Sequence, residues 1–268
     1  MSETLRVIDF GEVAPLRSQT LWHAIAYGVS AGCAPTLSFM RPSQPYVSIG
    51  FHHRLDELDL AWCTSAGLPI FRRMVGGGPV YLDPGQYFFQ ITVPESMTKG
   101  TRPETIRALL GPAVEAFRAV GIDARLDEHS EISVGPAKIC GHGAGQIDSA
   151  VVVVGNLITS FDHVAAARIV ATPSEERAQE YLSLMREYVM ATPADPADFR
   201  RQLVRCYAEA LGLRPEWGGL SDYECDQLAE LDRQFEDPEW LEGLPAPPPT
   251  SVKVRGGVNL SLASREET

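Results

Sequence analysis

Arg72-Arg73-Met74-Val75-Gly76-Gly77-Gly78-Pro79-Val80-Tyr81-Leu82-Asp83 is the stretch on which the reading of this chain turns. Three adjacent glycines let a backbone reach positive φ and let a ligand approach the main chain with no Cβ in the way. The N–H groups of such a turn form an anion-binding concavity, and two arginines just upstream offer planar forks for a phosphate or a carboxylate. A hairpin loop with solvated arginines carries the same residues equally well. The spacing matches neither the Walker pattern nor the dinucleotide fingerprint.

Strands are expected on both sides of the loop, at 69–73 and 80–82, with a third at 87–93. Upstream, Ser18 reads as the cap of a helix running through Leu21, Trp22, Ile25 and Val29 to near Gly32. Strands follow at 35–40 and 46–50, then a short helix over 56–65 with Leu55, Leu58, Ala61 and Trp62 on one face. Downstream, a helix over 103–120 leads to strands at 124–126, 131–134, 137–140 and 150–159, and 163–233 reads mostly as helix. Strands in an antiparallel order with helices segregated around them predict an α+β fold, not alternating βαβ units. The Pro-rich run 243–251 should be extended. It divides the chain into a domain of residues 1–243 and a linker with a short tail, 244–268.

Composition narrows the function classes. The 268 residues hold 44% apolar and 22% charged side chains, enough for a globular core. Basic residues number 23 against 35 acidic ones, a formal charge of −12. A body this acidic is repelled by phosphate backbones and anionic bilayers, so neither nucleic acid nor membrane is expected as a partner. Neither a targeting peptide nor a long apolar span is legible. Cys33, Cys63, Cys140, Cys206 and Cys225 are odd in number and irregularly spaced, which suits neither a disulfide framework nor a zinc site. A cytoplasmic location is the expectation. Only Lys99, Lys138 and Lys253 among the basic residues are lysines. Arginine does not copy the compact ammonium of lysine, so each is a position to examine.

The pattern Arg-Arg-x-x-Gly-Gly-Gly-x-Val-Tyr-x-Asp at 72–83 resembles the signature of the lipoate-protein ligase A family, within the biotin and lipoate ligase superfamily. Pro45-Tyr46-Val47-Ser48-Ile49-Gly50 is similar to the family strand that ends in Ile-Gly before the loop. The run from Glu131 to Gly141 resembles the segment that usually reads Asn-Asp-hydrophobic-x-Val-x-Gly-x-Lys-hydrophobic-Ser-Gly. Together these cover about residues 5 to 240.

The resemblance implies a class II biotin/lipoate ligase-like catalytic domain with mixed or antiparallel sheets flanked by helices. It also implies ATP-dependent activation of lipoate or octanoate as an acyl adenylate, followed by transfer to a lysine of an acceptor. That acceptor would be a lipoyl domain or a glycine-cleavage H-type protein. Lys138 falls on the family's catalytic lysine. A positioned ammonium stabilises negative charge building on a carbonyl oxygen and a phosphorus together. Arg72, Arg73, Gly76, Gly77, Gly78, Val80, Tyr81, Asp83, Cys140, Gly141 and Gly155 fall on the acyl-adenylate site. Arg72 is expected to approach the carboxylate or phosphate, and Glu131, in place of the usual Asp, to hold Mg²⁺.

Three departures stand out. Cys140 replaces a serine, which opens a second reading, an octanoyltransferase acting from acyl-carrier protein through that thiol. His142 is then a base for Cys140 or a phosphate donor. Val154 replaces the histidine of the family's His-Gly strand, and Ser130 the usual Asn. These losses leave open a non-catalytic carrier-binding module. Residues 252–260 resemble the first strand of the accessory domain that follows in full-length ligases, so a separate accessory subunit is a further expected partner.

Overall fold

The two longest apolar runs, Gln86–Pro94 and Ala150–Ile158, pair antiparallel at the heart of a six-stranded sheet. In a computed structural model that describes residues 3–243 and 249–262, the chain begins with β1 (Thr4–Val13), α1 (Pro15–Ser30), β2 (Thr36–Pro42), β3 (Tyr46–Ile49), α2 (Leu60–Ser65), β4 (Ile70–Arg72), β5 (Val80–Leu82) and β6 (Gln86–Pro94). It continues with α3 (Arg102–Ala119), β7 (Arg125–Leu126), β8 (Ile132–Val134), β9 (Ala137–Cys140), β10 (His142–Ile147) and β11 (Ala150–Ile158). Next come α4 (His163–Arg168), α5 (Glu175–Tyr188), α6 (Pro196–Leu211), β12 (Arg214–Trp217), α7 (Asp222–Glu236), α8 (Pro238–Glu242), β13 (Ser251–Arg255) and β14 (Val258–Ser261). The run 244–248, expected as an extended linker, lies outside the described residues.

The large sheet has the order β10-β11-β6-β2-β1-β12. Its inner strands β11, β6 and β2 are buried on both faces because both faces are covered. On one, Leu5, Val7, Phe39, Phe89 and Ile91 meet α3 and α6 through Leu110, Phe117, Phe199 and Tyr207. On the other, Ile8 and Val152 pack with Trp22 and Ile25 of α1, and Met40 and Phe88 with Leu228 and Phe235 of α7. Each such side chain stabilises the fold by about 1.5–3 kcal/mol through removal from water. Smaller sheets, β4-β3-β5 and β7-β8-β9, carry the two motifs that drew attention in the sequence. The architecture is α+β, as expected.

Details differ from the sequence reading, for physical reasons. β1 pairs parallel with both β2 and β12, so the main sheet is mixed. The first helix starts at Pro15, whose fixed φ and missing N–H suit a first helical position, and Ser18 is buried inside it, not its cap. The helix expected at 56–65 is a 3₁₀ turn, Leu55–Glu57, followed by α2, which Asp59 caps by accepting from the Trp62 N–H. β10, the glycine-bearing His-Gly-Ala-Gly-Gln-Ile strand, has little strand propensity and exists by pairing with β11. Residues 252–260 fold back as the hairpin β13–β14, whose Val252, Val254 and Leu260 are buried with Tyr181 and Met185 of α5.

One buried polar residue ties α1 to the glycine loop. His23 has no exposure; its Nδ1 lies 2.6 Å from the Gln19 carbonyl and its Nε2 accepts from the Met74 N–H at 3.1 Å. These partners place the proton of a neutral ring on Nδ1. Burial lowers its pKa to about 3, opposed by the Gln19 carbonyl and assisted by Arg73. The unfolded chain therefore takes up a proton near pH 6.5 that the folded one refuses, and stability is lost as pH falls below that value. Thermal unfolding between pH 6.5 and 5 should show a loss of about 2 kcal/mol from this residue. His23→Gln should flatten that slope.

Candidate active site

Arg72, the last residue of β4, and Arg73, which follows it, reach different partners, and neither is solvated. Arg72 is 1% exposed. Its guanidinium donates to the carbonyls of Gly50, Phe51 and His53 on one side and of Trp240, Leu241 and Glu242 on the other, at 2.6–3.2 Å. Every nitrogen of the fork is engaged, so Arg72 does not approach a ligand as the motif led us to expect. It is a strut that fastens the end of α8 to the turn after β3.

Arg73 holds the loop itself. It donates to the carbonyls of Ser48 at 2.9 Å, Gly76 at 3.0 Å and Gly78 at 2.9 Å. Burial lowers its pKa to about 10, which leaves it cationic at neutral pH. No carboxylate pairs with it among the described residues. Of the three loop glycines only Gly77 takes a positive φ, +98°, and a side chain on Gly50 would collide with the Gly77 carbonyl. The loop is thus a packed turn stitched by Arg73.

Lys138 on β9 and Glu131 just before β8 meet across the second motif. Lys138 Nζ is 2.9 Å from Glu131 Oε2, and Lys253 Nζ from the C-terminal hairpin is 3.0 Å from Oε1. Glu131 has no exposure, yet its carboxyl is held at about 2: burial raises the pKa, and Lys138, His142 and Lys253 together overcome that. With a cation at each oxygen, Glu131 does not fit the expected role of Mg²⁺ ligand. Among the described residues no group of three His, Cys, Asp or Glu is arranged to hold a metal ion. His142 Nδ1 stands 3.6 Å from Oε2, and burial, then Lys138, lower its pKa to about 4, so the ring is neutral at pH 7.

Lys138 lies where two cavities meet. The first, about 140 Å³, is bounded by Trp22, Leu82, Phe88 and Val154 with Arg73, His142 and Gly155. The second, about 110 Å³, is bounded by Tyr81, Phe161, Tyr181, Met185 and Val189 with Lys253. Val80, Leu82, Gly141 and Asn156 border both. Asn156 is the junction's anchor: its Oδ1 accepts from the Gly141 N–H at 2.6 Å and its Nδ2 donates to Gln86 at 2.8 Å.

Not every motif residue reaches a cavity. Asp83 borders neither; its carboxylate accepts from the Gly85 N–H at 2.9 Å and shapes the β5–β6 turn. Gly155 borders the first, but its lack of a side chain is required by the Phe89 ring packed on it. Cys140 is fully buried and borders neither. Its Sγ accepts from the Asn156 N–H and donates to the Gly141 carbonyl, both at 3.4 Å, and burial pushes the thiol up to about 12. A thiol so placed is not a thiolate at neutral pH. Sequence reading did not single out Gln19, Ser48, Gln90 or Asn156. The signal for Asn156 was a lone amide in an otherwise apolar strand, because such a group is retained only with buried partners.

Two measurements check these assignments. Arg72→Ala orphans six carbonyls and should cost about 3 kcal/mol or more in urea unfolding. Under brief alkylation of the native protein, mass spectrometry should find exposed Cys225 labelled and Cys140 untouched; rapid labelling of Cys140 would contradict its burial as a protonated thiol.

Residues 17–191 match the family described as Lipoyl protein ligase A/B catalytic domain. Lipoate-protein ligase A subunit 1 of Thermoplasma acidophilum is 25% identical over 237 residues, 82% of this chain and 89% of that protein. Octanoyltransferase LipM of Kyrpidia tusciae is 23% identical over 270 residues, 89% of this chain and 98% of that one. A bi-partite lipoate protein ligase from T. acidophilum, solved in a study of it and its E2 lipoyl domain, shares the fold with a TM-score of 0.82 at 23% identity, over 91% of this chain and 98% of that one. A lipoate-protein ligase A bound with ATP does so with a TM-score of 0.77 at 22% identity, over 91% and 99%. With the family match spanning more than half its length, the chain belongs to the lipoyl protein ligase A/B catalytic domain family.

Proposed function

We propose that this chain is the catalytic chain of a lipoate-protein ligase, which activates lipoate or octanoate with MgATP and passes the acyl group to a lysine of an acceptor protein. The observation that carries this reading is the Lys138 ammonium, 16% exposed, at the junction of the two cavities. The apolar first cavity suits an aliphatic tail. The second, with Tyr81, Phe161 and Tyr181, suits a nucleotide.

In the first step an oxygen of the acyl carboxylate attacks the α-phosphorus of ATP, a C–O–P linkage forms, and pyrophosphate leaves. Negative charge gathers on the phosphoryl oxygens, where Lys138 presents a point charge with three donors. In the second, the neutral amine of the acceptor lysine attacks the acyl carbonyl. The bond to the phosphate breaks, AMP leaves with Lys138 as counter-charge, and the new amide nitrogen gives up its proton. Arg73 adds a fixed positive charge beside the first cavity.

The proposed acceptor is a lipoyl domain or an H-type protein, and a separate accessory subunit is proposed to assist adenylation. The bi-partite Thermoplasma ligase, studied with its E2 lipoyl domain, supports the lipoyl domain and the subunit. The LipM relative favours a second reading, transfer from octanoyl-carrier protein through Cys140. The buried, protonated thiol opposes it.

Incubation with an apo acceptor and either lipoate plus MgATP or octanoyl-carrier protein, followed by acceptor mass, separates the readings. Modification should need ATP, fall about 100-fold or more in Lys138→Ala, and change less than about fivefold in Cys140→Ala. ATP-independent transfer abolished by Cys140→Ala supports the transferase. No modification, even with a candidate accessory subunit, favours a carrier-binding module.

A further inference from the structure

The C-terminal hairpin has no part in the chemistry above, yet it is built into the reaction centre. Beyond the burial of Val252, Val254 and Leu260, Arg255 bonds to Asp127 and to the Pro136 carbonyl, and the Gly256 N–H donates to Glu131 Oε1 at 3.0 Å. A side chain at Gly256 or Gly257 would collide with His129, so the turn is fitted to its seat. This docking delivers Lys253 to the second cavity, which Lys138 also borders. In a chain with 23 basic residues of which three are lysines, two of those lysines meet at one carboxylate.

The charges at that point do not balance. Glu131 supplies one negative charge, Lys138 and Lys253 two positive ones, His142 is neutral at pH 7, and Arg255 is matched by Asp127. One excess positive charge therefore faces the cavity, and a small anion satisfies it. Lys253 is also free to turn toward such a ligand, since its side chain is 55% exposed on a flexible stem.

We propose that Lys253 is a second substrate-binding cation of the site, taking the phosphate oxygens of the adenylate together with Lys138, and that Glu131 holds both ammonium groups in place until that anion arrives. The inference rests on the adenylate-forming reading. It makes the hairpin a wall of the catalytic site that this chain supplies in cis. A phosphate entering between the lysines gives Lys253 an anionic partner other than the Glu131 carboxylate, and the excess charge is neutralised.

Calorimetric titration of the full chain with AMP and, separately, with octanamide, an uncharged acyl probe, tests it. Lys253→Met keeps the stem and removes the charge. It should weaken AMP binding tenfold or more and lower its salt dependence, while octanamide affinity stays within twofold. Lys253→Arg should restore part of the AMP affinity, and Lys99→Met should change nothing. Unchanged AMP binding in Lys253→Met overturns the proposal, as does an equal loss for octanamide, which would mark a merely structural role. If the wild-type chain binds AMP through Lys253 but forms no acyl adenylate even with a candidate accessory subunit, the ligase reading fails and the assignment of Lys253 stands. If it binds no AMP, both fall.

Discussion

Two consecutive arginines at the end of one short strand, Arg72 its last residue and Arg73 the next, both buried and both bonded to backbone carbonyls, hold the molecule together around its site. From one place the two reach different partners. Arg72 gathers the turn after β3 and the end of α8. Arg73 gathers Ser48 and the glycine loop. A guanidinium has five donors and no acceptor, which suits it to collecting carbonyls that strands and helices leave unpaired. Removing either would strand several of those oxygens away from water at once.

A second constraint operates at Glu131. A carboxylate with no exposure is tolerable only if cations or donors surround it, and Lys138, Lys253 and the Gly256 N–H do so from two separate segments. The arrangement orients Lys138 toward the cavities and couples its position to the C-terminal hairpin. The same carboxylate explains why a metal role does not suit the residue: its oxygens are already spoken for by ammonium groups.

Much of this was legible in the chain. The long, strongly patterned elements β6, β11 and α3 were readable from their apolar runs, whereas 163–233 read only as mostly helix and hid the strand β12. The glycine loop and the Lys138 segment were readable as motifs because chemistry constrains residue type at fixed spacing. β1, β10 and the hairpin's seat were not. β10 is held by its partner strand and not by its own propensity, and Gly145 within it clears space for Val75. The polar set of Gln19, Tyr46 and Ser48 was equally hidden, because its members are far apart in sequence: Gln19 donates to Tyr46 at 2.6 Å and accepts from Ser48 at 3.1 Å.

By itself the sequence determined the fold class and marked the glycine loop and Lys138 as the positions to examine, since these depend on local pattern and on residue types at fixed spacing. Only the tertiary structure decided what each neighbour does. It turned Arg72 from a ligand group into a strut, Glu131 from a metal ligand into a clamp on two ammonium groups, and Cys140 into a buried, protonated thiol that borders neither cavity. It also brought Lys253 from the end of the chain to within 3.0 Å of Glu131. The physical reason is the same in each case: hydrogen-bond saturation, ion pairing and desolvation depend on which groups meet in space, and these groups meet across up to 170 positions of chain.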